Sequence, residues 1–92
     1  MTDASDSNTM KTAIVTGAAR GIGLATAQLF AEQGLKVVMV DRDADILHQA
    51  HKKVENSLAL VCDISLPDAV NQMIHRALKE AGRIDVLVNN AG

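Results

Sequence analysis

The stretch that decides the fold is Thr16-Gly17-Ala18-Ala19-Arg20-Gly21-Ile22-Gly23. It follows the short run Thr12-Ala13-Ile14-Val15 and opens into an amphipathic segment, so a strand gives way to a helix across three glycines. Gly17 can turn sharply off the strand because it has no Cβ to clash. Gly21 lets backbone approach a pyrophosphate, and Gly23 lets the helix lie close on a sheet. The helix start adds unpaired N–H donors and the positive end of its dipole. The spacing is T-G-x-x-x-G-x-G, with three residues between the first two glycines, and not the commoner G-x-G-x-x-G. Three glycines alone serve turns and packing equally well. The strand before, the helix after and the acid at Asp41 favour the phosphate reading. No Gly-Lys-Ser or Gly-Lys-Thr occurs, which excludes a P-loop.

Working outward, four short apolar runs read as strands: Thr12 to Thr16, Lys36 to Val40, Leu58 to Cys62 and Ile84 to Val88. Runs this apolar suit strands buried on both faces, as in parallel sheets covered by helices. Three helices are expected between them. The first spans about Gly21 to Gln33, with Ile22, Ala25, Leu29 and Phe30 on one face and Gly34 as the stop. The second spans about Asp43 to Glu55, capped by Asp43, with Leu47, Ala50 and Val54 at helical spacing. The third begins near Ser65, whose hydroxyl is the expected cap, with Pro67 in the first turn and Asp68 three positions on. Its apolar stripe is Val70, Met73, Ile74, Ala77, Leu78 and Ala81, and Gly82 ends it. Strands alternating with helices predict an α/β fold, a Rossmann-like doubly wound parallel sheet. Its four strands take the order 3-2-1-4, the first two helices cover one face and the third covers the other. In the last strand Ile84, Val86 and Val88 are expected to face one way and Leu87 the other, leaving an apolar edge.

The chain has 92 residues, 48% of them hydrophobic and 22% charged, which fits one small globular unit and argues against wholesale disorder. Residues 1–10 are polar and read as a flexible tail, leaving 11–92 as a partial nucleotide-binding domain. The tail has neither the basic nor the apolar region of a leader peptide. No apolar run is long enough to span a bilayer. The net charge of -2 is scattered, so no nucleic-acid footprint is visible. Cys62 is the only cysteine, so an internal disulfide is excluded and a reduced, cytoplasmic setting is expected. It reads as a small buried hydrophobe. His48 and His51 lie three apart without supporting acids, a poor metal site, and no metal is expected.

Asp41 ends the second strand, where a carboxylate can hydrogen-bond the hydroxyls of an adenosine ribose. The same charge repels a ribose 2′-phosphate. At 4 Å and an effective dielectric near 20, two unit charges cost about 4 kcal/mol, and solvent lowers that. NAD is therefore favoured over NADP, although the guanidinium of Arg20 or Arg42 can attract a 2′-phosphate. Thr16 either braces the glycine turn through its hydroxyl or is simply a β-branched strand residue.

These residues resemble the short-chain dehydrogenase/reductase family. Thr16 to Gly23 is similar to its glycine-rich cofactor motif, and Asn89-Asn90-Ala91-Gly92 is similar to its N-N-A-G segment after the fourth strand. Asp63, followed by Ile64, stands where the family has an acid that contacts adenine. The resemblance implies that Asp41 marks NAD, that Asn90, Ala91 and Gly92 line the adenosine side, and that Asn89 helps hold the fourth strand. By side-chain chemistry alone, the two asparagines are equally well turn residues. The expected cofactor-binding residues are Gly17, Arg20, Gly21, Ile22, Gly23, Asp41, Arg42, Asp63, Ile64, Asn90, Ala91 and Gly92. Family chemistry is hydride transfer between nicotinamide and an alcohol or carbonyl carbon, with a Tyr as acid/base aided by Lys and Ser. This sequence contains no Tyr, so no catalytic residue is named. The expectation is the N-terminal cofactor-binding portion of such an oxidoreductase, inactive and marginally stable alone. A full-length form would take a small-molecule substrate and assemble as a homo-oligomer. Two other readings stay open: a non-catalytic dinucleotide-binding module, and a methyltransferase-like domain that binds S-adenosylmethionine.

Overall fold

Thr12–Thr16 forms β1, and all five of its residues are buried, because helices cover both faces and strands flank both edges. A computed structural model describes residues 10–90 of the chain. The elements that follow β1 are α1 (Gly21–Glu32), β2 (Lys36–Asp41), α2 (Ala44–His51), β3 (Ser57–Val61), α3 (Pro67–Ala81) and β4 (Val86–Val88). All pairings are parallel and the strand order is β3-β2-β1-β4. Residues 1–9 of the expected tail, and Ala91 and Gly92, lie outside the described residues.

Alternate residues of the strands feed two cores, as a period of two requires. Val15, Val37 and Met39 pack with Ala27 of α1 and with Leu47 and Ala50 of α2. Ile14, Val38, Val40 and Leu60 pack on the other face with Met73 and Ala77 of α3. Ile14, Met39 and Leu47 are completely buried, and each contributes about 1.5–3 kcal/mol relative to exposure. The α/β doubly wound sheet and its helix placement are thus as the sequence predicts.

The details differ where local spacing misleads. α1 does not turn Ile22, Ala25 and Leu29 to the sheet. Gly23 and Ala27 face it, and Ile22 and Leu29 are 76% and 51% exposed. The helix is apolar nearly all round, Gly23 is the residue in close contact with the turn below, and Leu24, Phe30 and Ala31 also pack against the core. α2 ends at His51, four residues early. Lys53 and Val54 donate to the carbonyls of Ala50 and His51, three positions back, and Asn56 at φ 53° turns the chain into β3. The tightened turn keeps Val54 in the core, which is why its spacing looked helical. α3 starts at Pro67 with Leu66 as N-cap, without a side-chain cap. Ser65 instead donates its hydroxyl to Asp63, a charged acceptor two residues back. Ile84 precedes β4 and packs on the α3 side, whereas Val88 packs against the opposite core. β3 begins one residue earlier than expected, at Ser57.

Candidate functional site

The glycine turn leaves β1 at Gly17, with φ 65°, and enters α1 at Gly21, with φ 58°. Both values lie in the left-handed region that glycine adopts at no steric cost. At Gly21 a Cβ would meet nothing within 4 Å, so the backbone there faces open space. At Gly23 a Cβ would lie 2.0 Å from the carbonyl oxygen of Gly17 and 2.8 Å from Nδ2 of Asn90. The third glycine therefore lets the helix start rest on the turn itself. Arg20 is the N-cap of α1 and supplies no side-chain cap, and the first turn carries no acid. The opening N–H groups of a helix have no partners within it, so this end is suited to an anion.

Backbone and side-chain bonds fasten the turn to the end of β2. The Ala18 N–H donates to the Val40 carbonyl at 3.1 Å, and the Ala19 N–H to Asp41 Oδ2 at 3.2 Å. The other oxygen of Asp41 accepts the Asp43 N–H at 3.0 Å. A carboxylate has about four acceptor sites, so about two remain for a further ligand. Asp43 in turn caps α2 through Ile46 at 3.5 Å and pairs with Arg20 Nη2 at 3.1 Å.

Asp63 follows β3. Its Oδ1 accepts the Ser65 hydroxyl at 2.7 Å and the Ser65 N–H at 3.0 Å. These bonds, and then the charge of Arg42, hold its carboxyl below the usual carboxylate range. It stays an anionic acceptor at neutral pH. Cys62 is buried beside it, and burial followed by the Asp63 charge pushes the thiol upward, which keeps it protonated and unreactive. Gly17, Asp41, Arg42, Asp63 and Ile64 line one cleft of about 270 Å³. That volume falls just below the ~300–1,000 Å³ of drug-sized ligand pockets, enough for one ring system. The cleft opens at the carboxyl ends of the strands, next to the point where the order reverses between β1 and β4. Open α/β sheets bind ligands at such points.

At the end of β4, the Thr16 hydroxyl donates toward Asn89 Oδ1 at 3.1 Å and accepts the Asn90 N–H at 3.0 Å. Thr16 is thus a link from β1 to β4, and Asn89 takes part in it. The Asn90 side chain reaches the Gly17–Gly23 contact. Of the expected cofactor-binding residues, five line the cleft. Arg20, Gly21, Ile22, Gly23 and Asn90 surround the neighbouring turn, and Ala91 and Gly92 lie outside the described residues. Asp43 joins the site beyond the cap that the sequence predicts, through its bond to Arg20. Asp85 accepts the Thr12 N–H at 2.9 Å at the opposite end of β1, away from the cleft. The Nδ1 of His51 is 2.8 Å from the Ser57 hydroxyl. Among the described residues no cluster of three or more metal-ligating side chains occurs, and no helix is long and apolar enough to cross a membrane.

The family model of the short chain dehydrogenases matches residues 11–92. The chain belongs to that family. An uncharacterized oxidoreductase of Staphylococcus saprophyticus is 42% identical over 84 residues, covering 89% of this chain and 34% of that protein. Among solved structures, the 3-ketoacyl-(acyl-carrier-protein) reductase of Brucella melitensis complexed with NADH is 37% identical at a TM-score of 0.79. The match covers 84% of this chain and 32% of that one. A metagenomic short-chain oxidoreductase in complex with NADP is 38% identical at a TM-score of 0.84, over 89% of this chain and 39% of the other. The chain spans about a third of the length of the curated short-chain dehydrogenase relatives it matches. Its neighbours hold both forms of the cofactor, NADH in one and NADP in the other.

Proposed function

We propose that this chain binds the adenosine and pyrophosphate end of NAD, in preference to NADP, as the cofactor-holding part of a short-chain oxidoreductase. One observation carries the reading: a single cleft joins Gly17 of the turn, Asp41 after β2 and Asp63 after β3. In this reading the N–H groups at Gly21, Ile22 and Gly23 receive the pyrophosphate, for which the open space at Gly21 leaves room. The remaining acceptor sites of Asp41 take ribose hydroxyls, and Asp63 with Ile64 flanks the adenine. Arg42 borders that end, and Asn90 closes the β4 side. The cofactor, when bound, supplies hydride exchange with an alcohol or carbonyl carbon. The sequence has no Tyr, so the 92-residue chain is expected to bind without turning over.

Thermal melting tests the reading. A ligand at 100 times its Kd stabilises a protein by ~2.7 kcal/mol, and each kcal/mol raises the Tm of a domain this size by ~4–8 °C. NAD+ and ADP-ribose are both expected to raise the Tm, because the adenosine half supplies the contacts. S-adenosylmethionine is expected to leave it unchanged. An unmoved Tm in millimolar NAD+ refutes the assignment, and a rise with S-adenosylmethionine alone replaces it.

A further inference from the structure

Asp43 stands in the fastening between the glycine turn and β2, yet neither the turn motif nor the strand-end acid accounts for it. Its N–H is bonded to Asp41, one oxygen caps α2, and the other holds the Arg20 guanidinium at 3.1 Å. Arg20 follows Ala19, whose own N–H is bonded to the second oxygen of Asp41. The four groups close a ring: Ala19 to Asp41, Asp41 to Asp43, Asp43 to Arg20, and Arg20 back to Ala19 through the peptide. We propose that Asp43 is a positioning residue for cofactor choice: it occupies and neutralises the Arg20 guanidinium beside Asp41, so that a ribose 2′-phosphate finds no free cation on the glycine-turn side. The inference rests on the nucleotide reading above.

The alternative is that the pair merely supports the fold. Its two side chains are 64% and 39% exposed, and exposed pairs contribute only ~0–1 kcal/mol to stability, so that role is small. Its effect on an incoming dianion is different in kind. Asp41, Asp43 and Asp63 exceed Arg20 and Arg42 by one negative charge. With Asp43 neutral that excess is gone and Arg20 can swing to the ligand, where a guanidinium suits phosphate geometry.

Asp43→Asn isolates the effect. Asn caps a helix as well as Asp, and the N–H that bonds Asp41 belongs to the backbone, so the cap stays while the charge and the bond to Arg20 are removed. Isothermal titration of the chain with NAD+ and with NADP+ at low salt reads the ratio of the two Kd values. A structural defect weakens both cofactors together and leaves that ratio unmoved. The expected result is a shift of about fivefold toward NADP+ in Asp43→Asn, the scale of one exposed ion pair, shrinking in high salt. Asp43→Ser also caps without charge and carries the same expectation, should the Asn variant fail to fold. Adding Arg20→Leu to Asp43→Asn is expected to return the ratio to its parent value. An unchanged ratio in folded Asp43→Asn or Asp43→Ser, while the parent binds NAD+, overturns this inference alone. So does an equal shift when Arg20 is absent. A parent chain that binds neither cofactor overturns the nucleotide reading and this inference with it.

Discussion

Gly23→Ala places one methyl group where the site has no room. The new Cβ would lie 2.0 Å from the Gly17 carbonyl oxygen and 2.7 Å from the carbon of the same group. Carbon and oxygen in close contact sit about 3.3–3.6 Å apart, so the helix start must retreat by more than about 1 Å. Neither partner can swing aside, because the obstacle is backbone. Overpacking of this kind costs about 1–3 kcal/mol, and a backbone obstacle places it at the upper end. Replacing glycine by alanine within a helix recovers up to ~1 kcal/mol of backbone entropy. The net loss is about 2 kcal/mol, or ~8–16 °C in Tm for a domain of this size. Gly21→Ala is the comparison, since it has open space but a φ of 58°. Its cost is the left-handed penalty alone, about 1–2 kcal/mol. Circular dichroism melts of both variants and the parent decide. A Gly23→Ala chain that melts with the parent refutes the account of helix α1 resting on the turn.

Thr16→Val keeps the shape of a buried residue but removes the hydroxyl that binds Asn89 and Asn90. Urea titration is expected to show a loss of about 1–3 kcal/mol, the cost of orphaned polar groups. Asp85 is bonded to Arg83 and to the Thr12 N–H, which lower its carboxyl below the ordinary range. A depressed folded pKa means stability is fully present above the unfolded carboxylate value of about 3.9 and lost as pH falls through the folded one. Asp85→Asn is therefore expected to destabilise the chain at neutral pH and to flatten the acid limb of a stability–pH profile; an unchanged limb contradicts this. Leu87 is 57% exposed on the edge strand β4. Leu87→Lys is expected to reduce self-association in light scattering, because a charged edge resists strand addition.

What could be read from the residues alone follows a physical line. Strands Thr12–Thr16 and Lys36–Asp41 were recoverable because burial on both faces leaves a continuous apolar run. The place of Asp41 was recoverable because it closes the second apolar run. The inner face of α1 was not, since Ile22, Ala25 and Leu29 offer as good an apolar stripe as Gly23 and Ala27, and only the three-dimensional contact at Gly17 distinguishes them. The premature end of α2 was hidden because a tightened turn preserves the spacing of Val54. The Ser65 cap failed because Asp63 competes for the same hydroxyl. Arg20–Asp43 and Asp85–Thr12 join residues 23 and 73 positions apart, and no local pattern announces such a pair.

The same separations set an order of assembly. β1 meets β2 across a short helical crossover, whereas Asn90 reaches Thr16 from 74 positions away. Closing that long excursion is entropically slow, and chains leave the ribosome from their N-terminal end. The glycine turn and its Asp41 anchor can therefore be complete while Val86 to Asn90 is still being synthesised, so a nascent chain already offers the cradle on which β4 will settle.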